Sequence, residues 1–134
     1  MKPRLVKALA NENGDIIQRI KPIKVRQVVS KKTAKQVLSI MRNNVDNMGA
    51  SNAKIKGYSI GGKTGTAEKT KNGKLSSDTY SSFLGMVPAE DPQFSILVVV
   101  DTPKGVQYGS ETAAPCAKQI IKGILRYMNI RPDR

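Results

Sequence analysis

The chain has 134 residues, 39% of them hydrophobic, with four Tyr, two Phe and no Trp, which leaves room for one domain with a modest core. Its 23 Lys and Arg against 10 acids give a net charge of +13, but the basic residues are dispersed from Lys2 to Arg134 with no aromatic platform among them. That pattern reads first as a solvated cationic surface and second as attraction to anionic cell wall or lipid, and no nucleic-acid partner is expected. The absence of His excludes Ser-His-Asp and Cys-His hydrolysis, and neither a cofactor nor a metal is expected. The single Cys116 has no partner for an internal disulfide and reads as core filling on a helix. No run of 18 apolar residues and no signal peptide is present.

In chain order, residues 5–10 and 16–20 flank Asn13-Gly14 and predict a small hairpin within residues 1–21. A helix follows within 30–48, with Ser30 placed to cap it and Ala34, Val37, Leu38, Met41, Val45 and Met48 at helical spacing as its core stripe. Gly49 ends it, and residues 50–57 form a loop. Strands over 57–69 and 74–88 flank the turn signal Asn72-Gly73, and a third strand covers 93–101. In that third strand Leu97 and Val99 alternate with Ile96, Val98 and Val100, which predicts cover on both faces. The last helix spans 111–128, tolerates Pro115 in its first turn, and should bury Ala117, Ile120, Ile121, Ile124, Leu125 and Met128. The tail 129–134 reads as a domain end or the start of a linker. The elements imply an α+β fold: helices covering a three-stranded antiparallel sheet within 57–101.

The chemistry concentrates in Gly61-Gly62-Lys63-Thr64-Gly65-Thr66-Ala67, which offers an anionic ligand a cation, two hydroxyls and an approachable backbone. Gly57 to Thr64 also matches the nucleotide-binding pattern G-x-x-x-x-G-K-[ST], and Ile96 to Asp101 imitates the magnesium strand of such proteins. That reading requires a buried strand before the motif and a helix starting at Lys63-Thr64. Polar residues 51–56 precede it and Gly65, Thr66 and Asn72-Gly73 follow, so neither requirement is met. The motif belongs on a strand.

On a strand, Lys63-Thr64-Gly65 resembles the third motif of the penicillin-binding, serine D,D-transpeptidase family. Lys2-Pro3-x-Leu5-Val6, Ser82-Phe83-Leu84-Gly85-Met86-Val87-Pro88, Val98-Val99-Val100-Asp101 and Ala113-Ala114-Pro115 stand in the family's order, so the likeness covers essentially the whole chain. It is most similar to the monofunctional class B enzymes of sporulation, division and elongation. The family's Ser-x-x-Lys nucleophile lies far upstream on a buried helix, whereas the literal Ser51-Asn52-Ala53-Lys54 sits in a polar stretch, and no Ser-x-Asn triplet occurs. The resemblance therefore implies residues 1–134 as the C-terminal portion of a penicillin-binding transpeptidase domain, an incomplete serine β-lactamase-like fold with the nucleophile on an absent N-terminal part.

The same resemblance implies roles. Lys63 would meet the carboxylate of a peptidoglycan stem peptide or a β-lactam, with Thr64 and Thr66 hydroxyls binding that carboxylate. The Thr66 backbone N–H would be an oxyanion donor, and Gly65 would keep the approach open. Glu68, Lys69 and Tyr80 read as a solvated strand edge, and Tyr108-Gly109 has no assigned role. The parent would act on the extracytoplasmic face of a bacterial membrane, and this chain alone would be inactive and prone to self-association. A non-catalytic ligand-binding module and a basic nucleic-acid-binding domain are the alternative classes.

Overall fold

The structure, a computed structural model, describes residues 1–134 and divides into two compact units, Met1–Lys31 and Lys32–Arg134. In the first unit β1 (Ala8–Ala10) and β2 (Ile16–Arg19) pair antiparallel, with Ala8 opposite Arg19. Asn11 builds their turn: its side-chain carbonyl accepts the amides of Asn13 (3.1 Å) and Asp15 (2.8 Å), while Gly14 takes a φ of 87°. No residue of this unit is buried, so its strands are shorter than the alternating residues suggested.

The second unit has the α+β organisation expected. After α1 (Lys31–Asn47) comes a single 3-10 turn (Ser51–Ala53), then β3 (Gly61–Lys71), β4 (Lys74–Val87), β5 (Phe94–Asp101) and α2 (Ala113–Tyr127). The strands form one antiparallel sheet in the order β3-β4-β5. Asn72 and Gly73 both take positive φ, 52° and 75°, the conformation a two-residue hairpin needs to match strand twist. β3 begins at Gly61 rather than near 57, because residues 54–60 form an irregular approach to the sheet.

Register sorts the side chains into two faces. Thr64 and Thr66 share one face with Phe83, Ser81, Val98 and Val100, their cross-strand partners. Lys63 lies on the other, in one row with Leu84 and Leu97. α2 packs on the first face through Ala113, Ala117, Ile121 and Leu125, a four-residue spacing that aligns them along one row. Phe83, Val87 and Val45 of α1 complete that core.

Several burial expectations change. Each helix meets the rest along one side, so Val37 of α1 and Met48 just after it, and Ile120 of α2 and Met128 just after it, are exposed. Cys116 precedes Ala117 by one residue, about 100° around the helix, and is also exposed rather than core. β5 is covered on one face only: Leu97 and Val99 remain 64% and 53% exposed. The tail docks onto the second unit. Asp133 accepts the Ser59 amide (2.7 Å) and hydroxyl, its own amide donates to the Gly57 carbonyl (3.0 Å), and Arg134 grips Asp46 with two nitrogens at 2.7 and 2.8 Å. Arg134, with Arg42 and Lys54 adding to it, holds the Asp46 carboxyl below its ordinary value against the opposing effect of burial.

Candidate functional site

Lys63, Thr64, Gly65 and Thr66 all lie on β3, which pairs with β4 alone and therefore keeps one edge unpaired. Along an edge strand every second residue turns its N–H and C=O outward, where an extended ligand can pair with them. Alternation sends Lys63 to one face and Thr64 and Thr66 to the other, so the motif brackets its free edge from both sides. No helix starts at Lys63, which removes the nucleotide-binding reading. At Gly65 an added methyl would meet the Ser82 hydroxyl at 2.8 Å.

The lysines of β3 differ in what they hold. Lys69 is tied to Asp101, hydrogen-bonds the Thr102 hydroxyl (2.7 Å) and lies 4.2 Å from the Tyr80 ring centroid. Its hydrogen bond with Asp101 raises the ammonium's pKa and lowers the carboxyl's. Lys71 pairs with Asp78. Lys63 is exposed and donates to the carbonyl of Thr64 (2.7 Å), but it meets no carboxylate. It is the one lysine of β3 without an acidic partner. Thus Lys69 and Tyr80 act together in a surface cluster at the end of β5, while Glu68 faces an open cleft.

That cleft lies on the Thr66 side of the sheet, has a volume of about 870 Å³, and is lined by Thr66, Glu68, Thr79, Gln107, Tyr108 and Glu111 among others. Its outer wall is the loop after β5, fastened to the sheet by the Ser81 hydroxyl donating to the Gln107 carbonyl and by Gln107 donating to the Ser77 carbonyl (2.9 Å). The Gly109 amide donates to the Thr66 hydroxyl at 3.2 Å. A methyl group on Gly109 would stand 2.5 Å from the Ser82 carbonyl oxygen and 2.6 Å from that of Gly65, so only glycine permits this approach. Sequence reasoning noticed Tyr108-Gly109 without finding its role, and the dipeptide's position after a strand carries no local signal of the contact.

Asn44 was missed altogether. Its side-chain amide donates to the Gly62 carbonyl at 2.8 Å, linking α1 to the backbone one residue before Lys63. Next to it, Gly62 leaves space for Phe83, whose ring carbon would lie 2.5 Å from an added methyl. The decoy Ser51 is exposed on its 3-10 turn, and Lys54 donates to the Asp46 carbonyl (3.2 Å). No group is arranged to activate that serine.

The family model for the penicillin binding protein transpeptidase domain matches residues 1–122. Stage V sporulation protein D of Bacillus subtilis is 39% identical over 120 residues, which are 88% of this chain and 19% of that protein. A peptidoglycan D,D-transpeptidase FtsI of Buchnera aphidicola is 40% identical over 111 residues, 81% of this chain and again 19% of the relative. Among solved structures, the D,D-transpeptidase domain of a peptidoglycan glycosyltransferase from Eggerthella lenta aligns with a TM-score of 0.75 at 32% identity, over 92% of this chain and 27% of that one. Penicillin binding protein 3 of Mycobacterium tuberculosis, complexed with ampicillin, aligns with a TM-score of 0.81 at 27% identity, over 97% of this chain and 31% of that one. The chain thus spans about a fifth of the curated relatives it matches and under a third of these two solved chains. With its motif on an open sheet edge and nearly its whole length matched, the chain belongs to the penicillin-binding protein transpeptidase domain family.

Proposed function

We propose that this chain supplies the substrate-binding edge strand of a serine-type D,D-transpeptidase that cross-links peptidoglycan stem peptides. The observation that carries the reading is Lys63: an exposed ammonium without a carboxylate partner, on an unpaired strand edge, beside the hydroxyl-bearing Thr64 and Thr66. A stem peptide ending in D-Ala-D-Ala adds to β3 as an extended strand, and its terminal carboxylate is met by the Thr64 and Thr66 hydroxyls with Lys63 supplying positive charge. Gly65 leaves the backbone open to the substrate.

Acyl transfer then needs a serine, which the rest of a transpeptidase domain contributes. Its hydroxyl oxygen attacks the penultimate D-Ala carbonyl, the C–N bond breaks, and the terminal D-Ala leaves as the protonated amine. An amine of a neighbouring stem peptide takes the acyl group and releases the serine. The Thr66 backbone N–H donates to the oxyanion formed in both steps, a contribution of about 3–4 kcal/mol. A β-lactam follows the first half of this path, and the complexes of the Mycobacterium tuberculosis relative with ampicillin and aztreonam support that ligand class. The reaction's substrate places the assembled enzyme at the extracytoplasmic face of the membrane. No helix of this structure is long and apolar enough to cross one.

The test is acylation by a fluorescent penicillin in a complete domain carrying this chain. Lys63→Ala should slow it roughly 10²-fold or more while the melting temperature is kept, since a charge is removed where an anion binds and no packing is lost. Lys63→Arg should fall between the two, because a planar fork does not replace a compact ammonium. Equal rates for wild type and Lys63→Ala would take Lys63 out of the site.

A further inference from the structure

β3 is open along only part of its edge. The Thr102 amide donates to the Thr79 carbonyl at 2.8 Å, so residue 79 turns its backbone groups toward β5. By alternation Tyr80, Ser82 and Leu84 turn theirs toward β3, where their partners are Ala67, Gly65 and Lys63. Gly62, Thr64 and Thr66 therefore point their N–H and C=O groups at the free edge. What meets those groups changes along the strand. The Gly62 carbonyl accepts the Asn44 side-chain amide at 2.8 Å, and the Thr64 carbonyl accepts the Lys63 ammonium at 2.7 Å. Gly61 and Gly62 are buried, whereas Thr66, Ala67 and Glu68 are exposed. α1 provides the cover: a methyl added at Gly61 would lie 3.4 Å from Met41 Cβ, one turn before Asn44.

We infer that Asn44 is the end stop of this edge: by occupying the Gly62 carbonyl it fixes the register of an extended peptide on Thr64 and Thr66 and restricts the site to peptides that end there. The inference rests on the transpeptidase reading above and adds a specificity-determining residue to it. The edge is exposed on the side of Glu68 and Lys71 and closed at Gly62, so a peptide enters from the open side and runs antiparallel to β3. With its carboxylate at Thr64 and Thr66, its preceding residues lie beside Glu68 and beyond. One residue more at the carboxyl end would reach Gly62, whose carbonyl is taken and whose flank is α1. Admitting that residue means giving up the hydrogen bond from the half-buried Asn44. The edge thus selects chain ends by geometry, in addition to the charge with which Lys63 attracts a carboxylate.

Two peptides test it in a complete domain carrying this chain, one ending in D-Ala-D-Ala and the other extended by glycine to D-Ala-D-Ala-Gly. Acylation of the serine breaks the same bond in both and releases D-Ala or D-Ala-Gly, and mass spectrometry of the released amine gives kcat/KM for each. With Asn44 in place the shorter peptide should be preferred by roughly 100-fold or more. Asn44→Ala removes the stop, and Asn44→Leu removes the amide while keeping the volume. In both, the preference should shrink about tenfold, the remainder being carboxylate recognition by Lys63, Thr64 and Thr66. A merely structural Asn44 would lower both rates equally, so an unchanged preference in either folded variant overturns the inference. Amide exchange at Thr66 reads binding without chemistry: the D-Ala-D-Ala peptide alone should protect it in the wild type, and both peptides should protect it in the variants. That pattern without acylation removes only the acyl-transfer reading. Acylation with an unchanged preference removes only the end stop, and neither acylation nor protection by either peptide removes both.

Discussion

Gly109→Ala should be the most damaging single-methyl change near the site. The added carbon would lie 2.5 Å from the Ser82 carbonyl oxygen, 2.6 Å from that of Gly65 and 3.2 Å from the Ser82 nitrogen. All three are backbone atoms within the β3–β4 ladder, where Gly65 pairs with Ser82, so neither strand moves without breaking the sheet. The loop must retreat instead, by about 0.8–0.9 Å to reach an ordinary contact, at the roughly 1–3 kcal/mol typical of overpacking. That retreat stretches the 3.2 Å hydrogen bond from the Gly109 amide to the Thr66 hydroxyl, a loss of about 0.5–1.5 kcal/mol. Together these predict about 2–4 kcal/mol. At roughly 4 °C per kcal/mol for a chain of this size, the melting temperature should fall by about 8–16 °C. Thermal unfolding followed by circular dichroism measures it, and amide exchange at residue 109 should accelerate in parallel. A melting temperature within one or two degrees of wild type, with exchange at residue 109 unchanged, would mean that the loop does not press on the ladder as described.

The opposite outcome is expected at Gly123, which sits in α2 with nothing within 4 Å of an added methyl: Gly123→Ala should stabilise by about 0.5–1 kcal/mol, and a destabilisation in the same melt would contradict the helix. Arg134→Gln tests the tail through pH. Arg134 lowers the Asp46 pKa, so their pair stabilises the fold above the unfolded carboxyl's value near 4 and that stabilisation disappears as pH falls through the lower folded value. Arg134→Gln should therefore cost about 1 kcal/mol at pH 7 and flatten the decline in stability below pH 4, as measured by urea unfolding across pH; parallel curves would show the pair to be inert. Lys63→Ala in a complete domain is the fourth test, with penicillin acylation as its readout.

The parts of this fold visible in the sequence were those dictated locally. Asn72-Gly73 selects its hairpin because both residues accept positive φ, and the observed angles of 52° and 75° are that turn. Lys63-Thr64-Gly65-Thr66 was placed on a strand because no helix signal follows it, and β3 runs through all four residues. Less legible was everything decided by packing at a distance. An alternation of Val, Leu and Ile in β5 states that both faces are apolar, but it does not state that one of them lies bare beside Leu84. Helical spacing placed Cys116 near the core, yet its outward position depends on which row of α2 meets the sheet. Asn44, Gly109 and Asp133 act across 18, 43 and 74 residues, through a side-chain amide, a backbone N–H and a carboxylate, and such contacts leave no periodic trace. Lys63 and Lys69 look alike in sequence, and only the position of Asp101 beside one of them distinguishes a bound charge from an available one.

The central claim is that this chain carries the carboxylate- and oxyanion-binding strand of an acyl-transfer site whose serine belongs to the rest of the domain. Intact-mass spectrometry after incubation with excess penicillin tests it most directly, on the 134-residue chain and, side by side, on a chimera in which the chain replaces the 120-residue stretch it matches in Stage V sporulation protein D. The chain alone should keep its mass, because Ser51 is exposed with no group arranged to activate it and Lys54 is engaged with the Asp46 carbonyl. The chimera should gain one penicilloyl group, and should lose most of that gain with Lys63→Ala. A stoichiometric adduct on a serine of the chain alone, or a chimera acylated equally well without Lys63, would contradict the account.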